Sequence, residues 1–185
     1  LRPHIDEAEN QAIWACWIGH STVLIKLGKT WVLTDPVFAD VVGLNILGMR
    51  IGPRRILPPA ITLDEMPRPD IVLLSHAHMD HTDMWTLERL TEQWPGQIDL
   101  LTASNTLDVA GDMTWKSANE IDWGETTTIG DITIQALEVR HNGNRFPGEK
   151  CRSLGFHRTG RSYNGYEMEY LGARIVFGEI GRAHV

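Results

Sequence analysis

A continuous apolar run, Ile71-Val72-Leu73-Leu74, passes directly into Ser75-His76-Ala77-His78-Met79-Asp80-His81, and no other stretch narrows the choice of fold so far. An unbroken apolar tetrad suits a strand buried on both faces, as in a parallel sheet covered on each side. Asp83 then reads as the N-cap of a helix reaching about residue 93, with Leu87, Leu90 and Trp94 on one stripe at i, i+3 and i+7. Strand, histidine-rich turn and helix in that order put the histidines at the carboxyl edge of a sheet.

Residues two apart in extended backbone point the same way, so His76 and His78 can converge on one ion. Where the chain turns, Asp80 and His81 can face a second ion beside the first. With eight histidines in 185 residues, H-x-H-x-D-H arises from composition alone in roughly one chain per thousand. Solvated or core histidines near a turn are therefore the weaker reading, and the motif predicts a metal site. Imidazole and carboxylate donors without thiolate favour Zn²⁺, with Mn²⁺ or Fe as alternatives.

The flanking chain reads as strands with few helices. Residues 12–18, 22–27 and 30–33 are short β-branched and aromatic runs, split by Gly19-His20-Ser21 and Gly28-Lys29. Asp35-Pro36 stops the third. Residues 37–70 are rich in Gly and Pro and read as a long ordered loop, a feature that is usually functional. Further strands are expected at 98–101, 121–123, 125–129, 132–139, 153–157, 166–170 and 174–177, with a short helix at 106–110. The sum is an α/β sandwich in one domain, since a chain of this length matches the usual domain size of roughly 100–200 residues.

Composition excludes some functions. Seventeen Lys and Arg face 24 Asp and Glu, giving a net charge of −7, and an acidic surface repels a phosphate backbone, so no nucleic-acid partner is expected. No run of 18 apolar residues exists to span a bilayer, although peripheral contact with a membrane stays open. No basic-then-apolar leader is visible, and the default expectation is a cytoplasmic protein. Cys16 and Cys151 form no CxxC pair. They read as two buried thiols in a reducing compartment, with a disulfide as the alternative.

The histidine motif resembles the signature of the metallo-β-lactamase superfamily. Trp17-Ile18-Gly19-His20-Ser21-Thr22 and Leu33-Thr34-Asp35-Pro36-Val37-Phe38 are similar to its subgroup containing N-acyl-phosphatidylethanolamine phospholipase D and bacterial relatives. Gly52-Pro53-Arg54-Arg55 with Pro58-Pro59, and the extension of the motif to Thr82-Asp83, fit the same subgroup. The ascorbate-6-phosphate lactonase type shares the early pattern but matches the loop less well. The resemblance runs from about residue 14 to 177.

This resemblance implies an αββα sandwich, of which the chain holds the N-terminal half to two-thirds, and two divalent metal ions. His76, His78 and His141 would bind the first, and Asp80 and His81 the second. Asp80 would also orient the metal-bound hydroxide that attacks substrate. Asp35 would stand behind a ligand imidazole and orient it, or else serve as a turn residue before Pro36. His20 would contact substrate or simply satisfy its turn. Arg54 and Arg55 would meet a phosphate or lipid headgroup, or be solvated loop cations. His157 is expected to point outward from a strand.

The implied activity is hydrolysis of a small-molecule or lipid phosphodiester. A lactonase or other carboxyl-ester hydrolase is the first alternative and a non-catalytic metal-binding module the second. A complete relative needs a bridging Asp in a Gly-Asp context and a final His. The sequence after Gly178 shows neither, so residues 1–178 are expected to be a partial domain, inactive alone, and residues 179–185 a non-native tail whose His184 is no ligand.

Overall fold

The structure is a computed structural model that describes residues 5–47 and 49–178. The expected tail at 179–185 lies outside the described residues. Three strands, β1 (Ile13–Gly19), β2 (Thr22–Leu27) and β3 (Thr30–Thr34), form an antiparallel meander. A short hairpin of β4 (Leu44–Ile46) and β5 (Met49–Ile51) follows. Then come β6 (Ile71–Leu74), helix α1 (Met84–Gln93), β7 (Asp99–Ala103) and β8 (Ser117–Ile121). The chain closes with β9 (Thr126–Ile129), β10 (Ile132–Leu137), β11 (Gly165–Tyr170) and β12 (Ala173–Phe177).

The first sheet has the order β1-β2-β3-β6-β7-β8, with β3, β6, β7 and β8 mutually parallel. The second is an antiparallel sheet ordered β12-β11-β10-β9. The apolar tetrad of β6 is buried throughout, as its sequence predicts. Val72 and Leu74 pack with Leu87 and Leu90 of α1 on one face. Ile71 and Leu73 meet Ile132, Ile134, Tyr166 and Met168 of the second sheet on the other. Each such side chain removed from water contributes roughly 1.5–3 kcal/mol. The result is an α/β sandwich of helix, sheet and sheet.

Helix α1 starts where Asp83 accepts hydrogen bonds from the Thr86 backbone N–H (3.2 Å) and hydroxyl (2.6 Å). The cap therefore fixes the end of the histidine turn as well as the start of the helix.

Several expectations need correction. The 37–70 loop contains the β4–β5 hairpin, too short to register against its glycines. The strand expected at 121–123 is instead Ser117–Ile121, an edge strand whose Ser-Ala-Asn-Glu sequence carries little apolar pattern. The strand expected at 132–139 ends at Leu137. At 153–157 there is no strand: a single 3₁₀ turn, Arg152–Leu154, ends at Gly155 in the left-handed region (φ 89°). A left-handed residue breaks the pleat, and residues 153–159 lie exposed. His157 therefore projects from a loop rather than a strand. Cys16 and Cys151 are buried free thiols, so the disulfide alternative fails.

Candidate metal centre

Strands β3 and β6 lie side by side and parallel, with Thr34 opposite Leu73, so the residues that follow them emerge at the same edge. Asp35 leaves β3 in a left-handed conformation (φ 36°) and its backbone N–H donates to Leu73 O (2.9 Å). That twist turns its carboxylate toward the start of the histidine turn. Oδ1 accepts from the Ser75 N–H (2.7 Å), and Oδ2 accepts from the Ser75 hydroxyl (2.5 Å) and from His81 Nδ1 (2.7 Å).

This arrangement sets the tautomers. The Ser75 hydroxyl spends its one proton on Asp35, so it accepts from His76 Nδ1 at 2.8 Å. Both His76 and His81 thereby carry their proton on Nδ1 and turn the Nε2 lone pair toward the other donor groups. His76 Nε2 lies 2.8 Å from His78 Nδ1 and 3.0 Å from His141 Nε2. One shared proton can satisfy only one of those two contacts, whereas a cation among the three nitrogens satisfies all. The donor set therefore fits a divalent metal.

A second group stands beside it. Asp80 Oδ2 is 3.7 Å from His81 Nε2 and 3.1 Å from His20 Nε2. The ligand-type atoms of His20, Asp80 and His81 all lie within 4.8 Å of one another, as do those of His76, His78 and His141. The imidazoles of His76 and His81 are 4.2 Å apart, centroid to centroid, so the two groups adjoin.

Electrostatics keep these residues in ligand form. Burial, aided by the neighbouring His81, His78 and His141, pushes the His76 imidazole far below its ordinary range. Burial and His141 lower His78 as well. For Asp80 burial acts upward, but His81, a backbone N–H and His20 overcome it and hold the carboxyl below its usual value. Neutral imidazoles beside an ionised carboxylate are what a cation requires.

The turn is anchored by residues that sequence reasoning missed. The Arg145 Nη1 donates to Ala77 O (2.9 Å) and Thr82 O (3.0 Å), spanning the motif from its two ends. Asn164 N–H donates to Ser75 O (2.8 Å), Tyr166 hydroxyl to Leu74 O (2.8 Å), and Thr82 hydroxyl to His76 O (2.7 Å). Thr82 follows the quoted motif and was visible beside it; nothing local marks Arg145, Asn164 or Tyr166.

Arg54 and Arg55 reach the same neighbourhood. Both line a cleft of about 500 Å³ that opens onto His20 and Asp80, with Trp17, Val37, Val42, Ile56 and Leu57 as apolar wall. Arg54 is exposed. Arg55 is half-buried, and donates from Nη1 to Val37 O and from Nε to Leu57 O (3.3 Å). It fastens the loop, which leaves Arg54 as the cation of the pair facing solvent.

A helix–sheet–sheet sandwich gathers groups of imidazoles and carboxylates that could hold metal ions at the edge where β3 and β6 end. The chain belongs to the beta-lactamase superfamily, whose domain model matches residues 30–178. It is 30% identical over 149 residues to N-acyl-phosphatidylethanolamine-hydrolyzing phospholipase D 1 of Caenorhabditis elegans, covering 76% of this chain and 41% of that one. Among solved structures, the diiron β-hydroxylase CmlA from Streptomyces venezuelae superposes with a TM-score of 0.60 at 21% identity, over 89% of this chain and 28% of that one. An isothiocyanate hydrolase from Delia radicum gut bacteria superposes at 0.57 and 17% identity, over 85% and 58%. Those two likenesses establish the fold. The chain spans about half the length, or less, of the curated relatives it matches.

Proposed function

We propose that this chain carries the metal-binding part of a metal-dependent hydrolase acting on phosphodiesters, with phospholipids as the favoured class. The observation that carries the reading is the convergence of His76, His78 and His141 beside Asp80 and His81. His76, His78 and His141 would hold one divalent cation and Asp80 with His81 a second, Zn²⁺ first by donor chemistry and Mn²⁺ or Fe next. When bound, such ions supply an acidified water and polarise the oxygen of the scissile bond. Asp35 keeps the His76 and His81 lone pairs aimed inward, directly or through Ser75. Asp80, half-exposed and ionised, accepts a proton from an attacking water and orients it.

Support for the substrate class comes from two sides. The Caenorhabditis elegans relative is named for hydrolysis of an N-acyl-phosphatidylethanolamine. The cleft beside His20 and Asp80 pairs an apolar wall with the exposed Arg54, which suits an acyl chain next to a phosphate. Exposed Trp17, Ile56 and Leu57 on its rim fit peripheral contact with a lipid surface, and no described helix is long and apolar enough to cross a membrane. The two free thiols suit a reducing compartment such as the cytoplasm.

Metal content by mass spectrometry, with turnover of bis-p-nitrophenyl phosphate against p-nitrophenyl acetate by the complete protein from which this chain comes, tests the reading. Two ions per chain and preference for the phosphodiester support it. Preference for the acetate moves the assignment to a lactonase or other carboxyl-ester hydrolase. Bound metal without turnover of either leaves a non-catalytic module.

A further inference from the structure

Away from the metal centre, the β4–β5 hairpin carries apolar side chains that pack against nothing. We propose that this hairpin is a docking arm for a lipid surface with anionic headgroups, and that docking turns the mouth of the neighbouring cleft toward lipid. The inference rests on the proposed function only in taking lipid as the source of substrate; the arm itself needs neither metal nor turnover.

The first observation is which side chains face out. Of the thirteen exposed large apolar side chains among the described residues, six lie between 44 and 57: Leu44, Leu47, Met49, Ile51, Ile56 and Leu57. Hairpin turns are ordinarily polar, with Asn, Asp or Gly, yet Leu47 stands at this one with 95% of its surface in water. Apolar groups gathered at one projecting point mark a contact surface.

The second is that the arm is two-sided and held in one pose. Leu44 pairs with Ile51 across the strands, and Met49 precedes Ile51 by two residues, so these three share a face. Arg50 lies on the other face, turned inward. Its guanidinium stacks 4.6 Å above the Trp85 ring, and Nη2 lies 3.7 Å from Asp83 Oδ1 at the start of α1. Below the hairpin the two chains meet at Gly43 and Gly52, where an added Cβ would sit 2.2 Å from Ile51 O and 1.8 Å from Val42 O. Val42 N–H to Pro53 O (2.9 Å) and Arg55 N–H to Asp40 O (2.8 Å) close the stem. The apolar face is therefore aimed outward by its own anchorage.

The third is charge. The chain carries 24 acidic residues, but from Val41 to Leu63 there is none, while Arg50, Arg54 and Arg55 all fall in that stretch. An acidic protein that clears carboxylates from its one apolar arm and leaves Arg54 exposed beside it is complementary to an anionic surface. A protein partner would need directional groups to read, and Leu44, Leu47, Met49 and Ile51 offer no N–H or O–H donor. A fluid acyl layer needs only apolar area with cations at headgroup level. The arm's stem supplies Val42, Pro53 and Arg54 to the cleft that opens onto His20 and Asp80, so a docked arm sets that mouth against the lipid.

The test mixes the complete protein from which this chain comes with vesicles of phosphatidylcholine alone and of phosphatidylcholine with phosphatidylglycerol. The parent should sediment with the mixed vesicles and less with phosphatidylcholine. Leu47→Glu with Met49→Glu should weaken mixed-vesicle binding at least about tenfold, and turnover of soluble bis-p-nitrophenyl phosphate should not change. Arg54→Gln should cost about fivefold on mixed vesicles and nothing on phosphatidylcholine. Leu47→Cys carrying a polarity-sensitive dye, with the parent treated alike as the blank, should shift to the blue on adding mixed vesicles. A parent that stays in solution, full binding by the double glutamate variant, or an unshifted dye each overturns the proposal. So does a blue shift without vesicles accompanied by doubled mass, which assigns the face to a second copy of the chain. Vesicle binding without turnover of the soluble diester rejects the hydrolase reading and leaves the arm standing; turnover without vesicle binding does the reverse.

Discussion

The histidine turn at 75–83 and the segment at 41–60 border the same cleft and are built on opposite plans. In the turn, Leu74, Ser75, His76, Ala77 and Thr82 all have their carbonyls occupied by donors, from Tyr166, Asn164, Thr82 and Arg145. The segment is tied by its short hairpin, by backbone bonds such as Val42 N–H to Pro53 O and Ala60 N–H to Ile18 O, and by the Arg50 and Arg55 side chains. Its apolar side chains face outward, Leu47 at 95% and Ile56 at 97% exposure. On the proposed function, a turn that holds ion geometry spends buried hydrogen bonds on it, while a wall that meets substrate can remain loosely tied and open to change.

That contrast breaks most sharply at Asp35. Replacing it with alanine strands the Ser75 N–H, the Ser75 hydroxyl and His81 Nδ1 in a buried place. The expected loss is about 3–5 kcal/mol, read as the shift in a chemical-denaturation midpoint, with tight metal binding lost alongside. Arg145→Ala comes next: two carbonyls lose their donor, for about 2–3 kcal/mol and a 10–100-fold drop in metal affinity by chelator competition. Arg145→Lys, a single point donor, should recover part of each.

Acidity gives a smaller effect with a defined sign. His76 is held below its unfolded value near 6.5, so in the metal-free protein the unfolded chain takes up the extra proton. The stability from its neutral imidazole is present above about pH 6.5 and is lost as pH falls, by at most about 1.4 kcal/mol per pH unit. Denaturation midpoints between pH 7.5 and 5 check the slope, and a flat profile would refute the buried neutral state. The smallest stability change belongs to the other region. Ile56→Ser with Leu57→Ser should alter folding free energy by no more than about 0.5 kcal/mol while weakening sedimentation with phospholipid vesicles severalfold. If the pair destabilises as much as Arg145→Ala, the two regions are not built differently after all.

What could be read in the sequence was what neighbours in the chain decide. The strand, turn and capped helix around 71–93 are local, and the pairing of His76 with His78 was read from the two-residue spacing of extended backbone, although β6 ends at Leu74 and the two lie in the turn beyond it. His141 needed the family resemblance as well, because a lone histidine after a strand has no local mark. Asp35 was legible as a candidate only through its motif, and its left-handed backbone was not. Tyr166 was beyond reach: its hydroxyl serves Leu74, 92 positions away, and nothing in a Gly-Tyr-Glu-Met strand announces that. Polar edge strand β8 and the false strand at 153–157 failed for opposite reasons, too little apolar pattern in one and a glycine in a left-handed turn in the other.

Asp35 also binds the fate of the two proposed ion pockets together. One of its oxygens takes protons from both the Ser75 hydroxyl and His81, and Ser75 in turn steers His76. Any displacement of that single atom re-aims an imidazole in each pocket at once. Mutation therefore cannot retune one pocket for a different ion while sparing its neighbour through this position, and the pair must drift, or be conserved, as a unit.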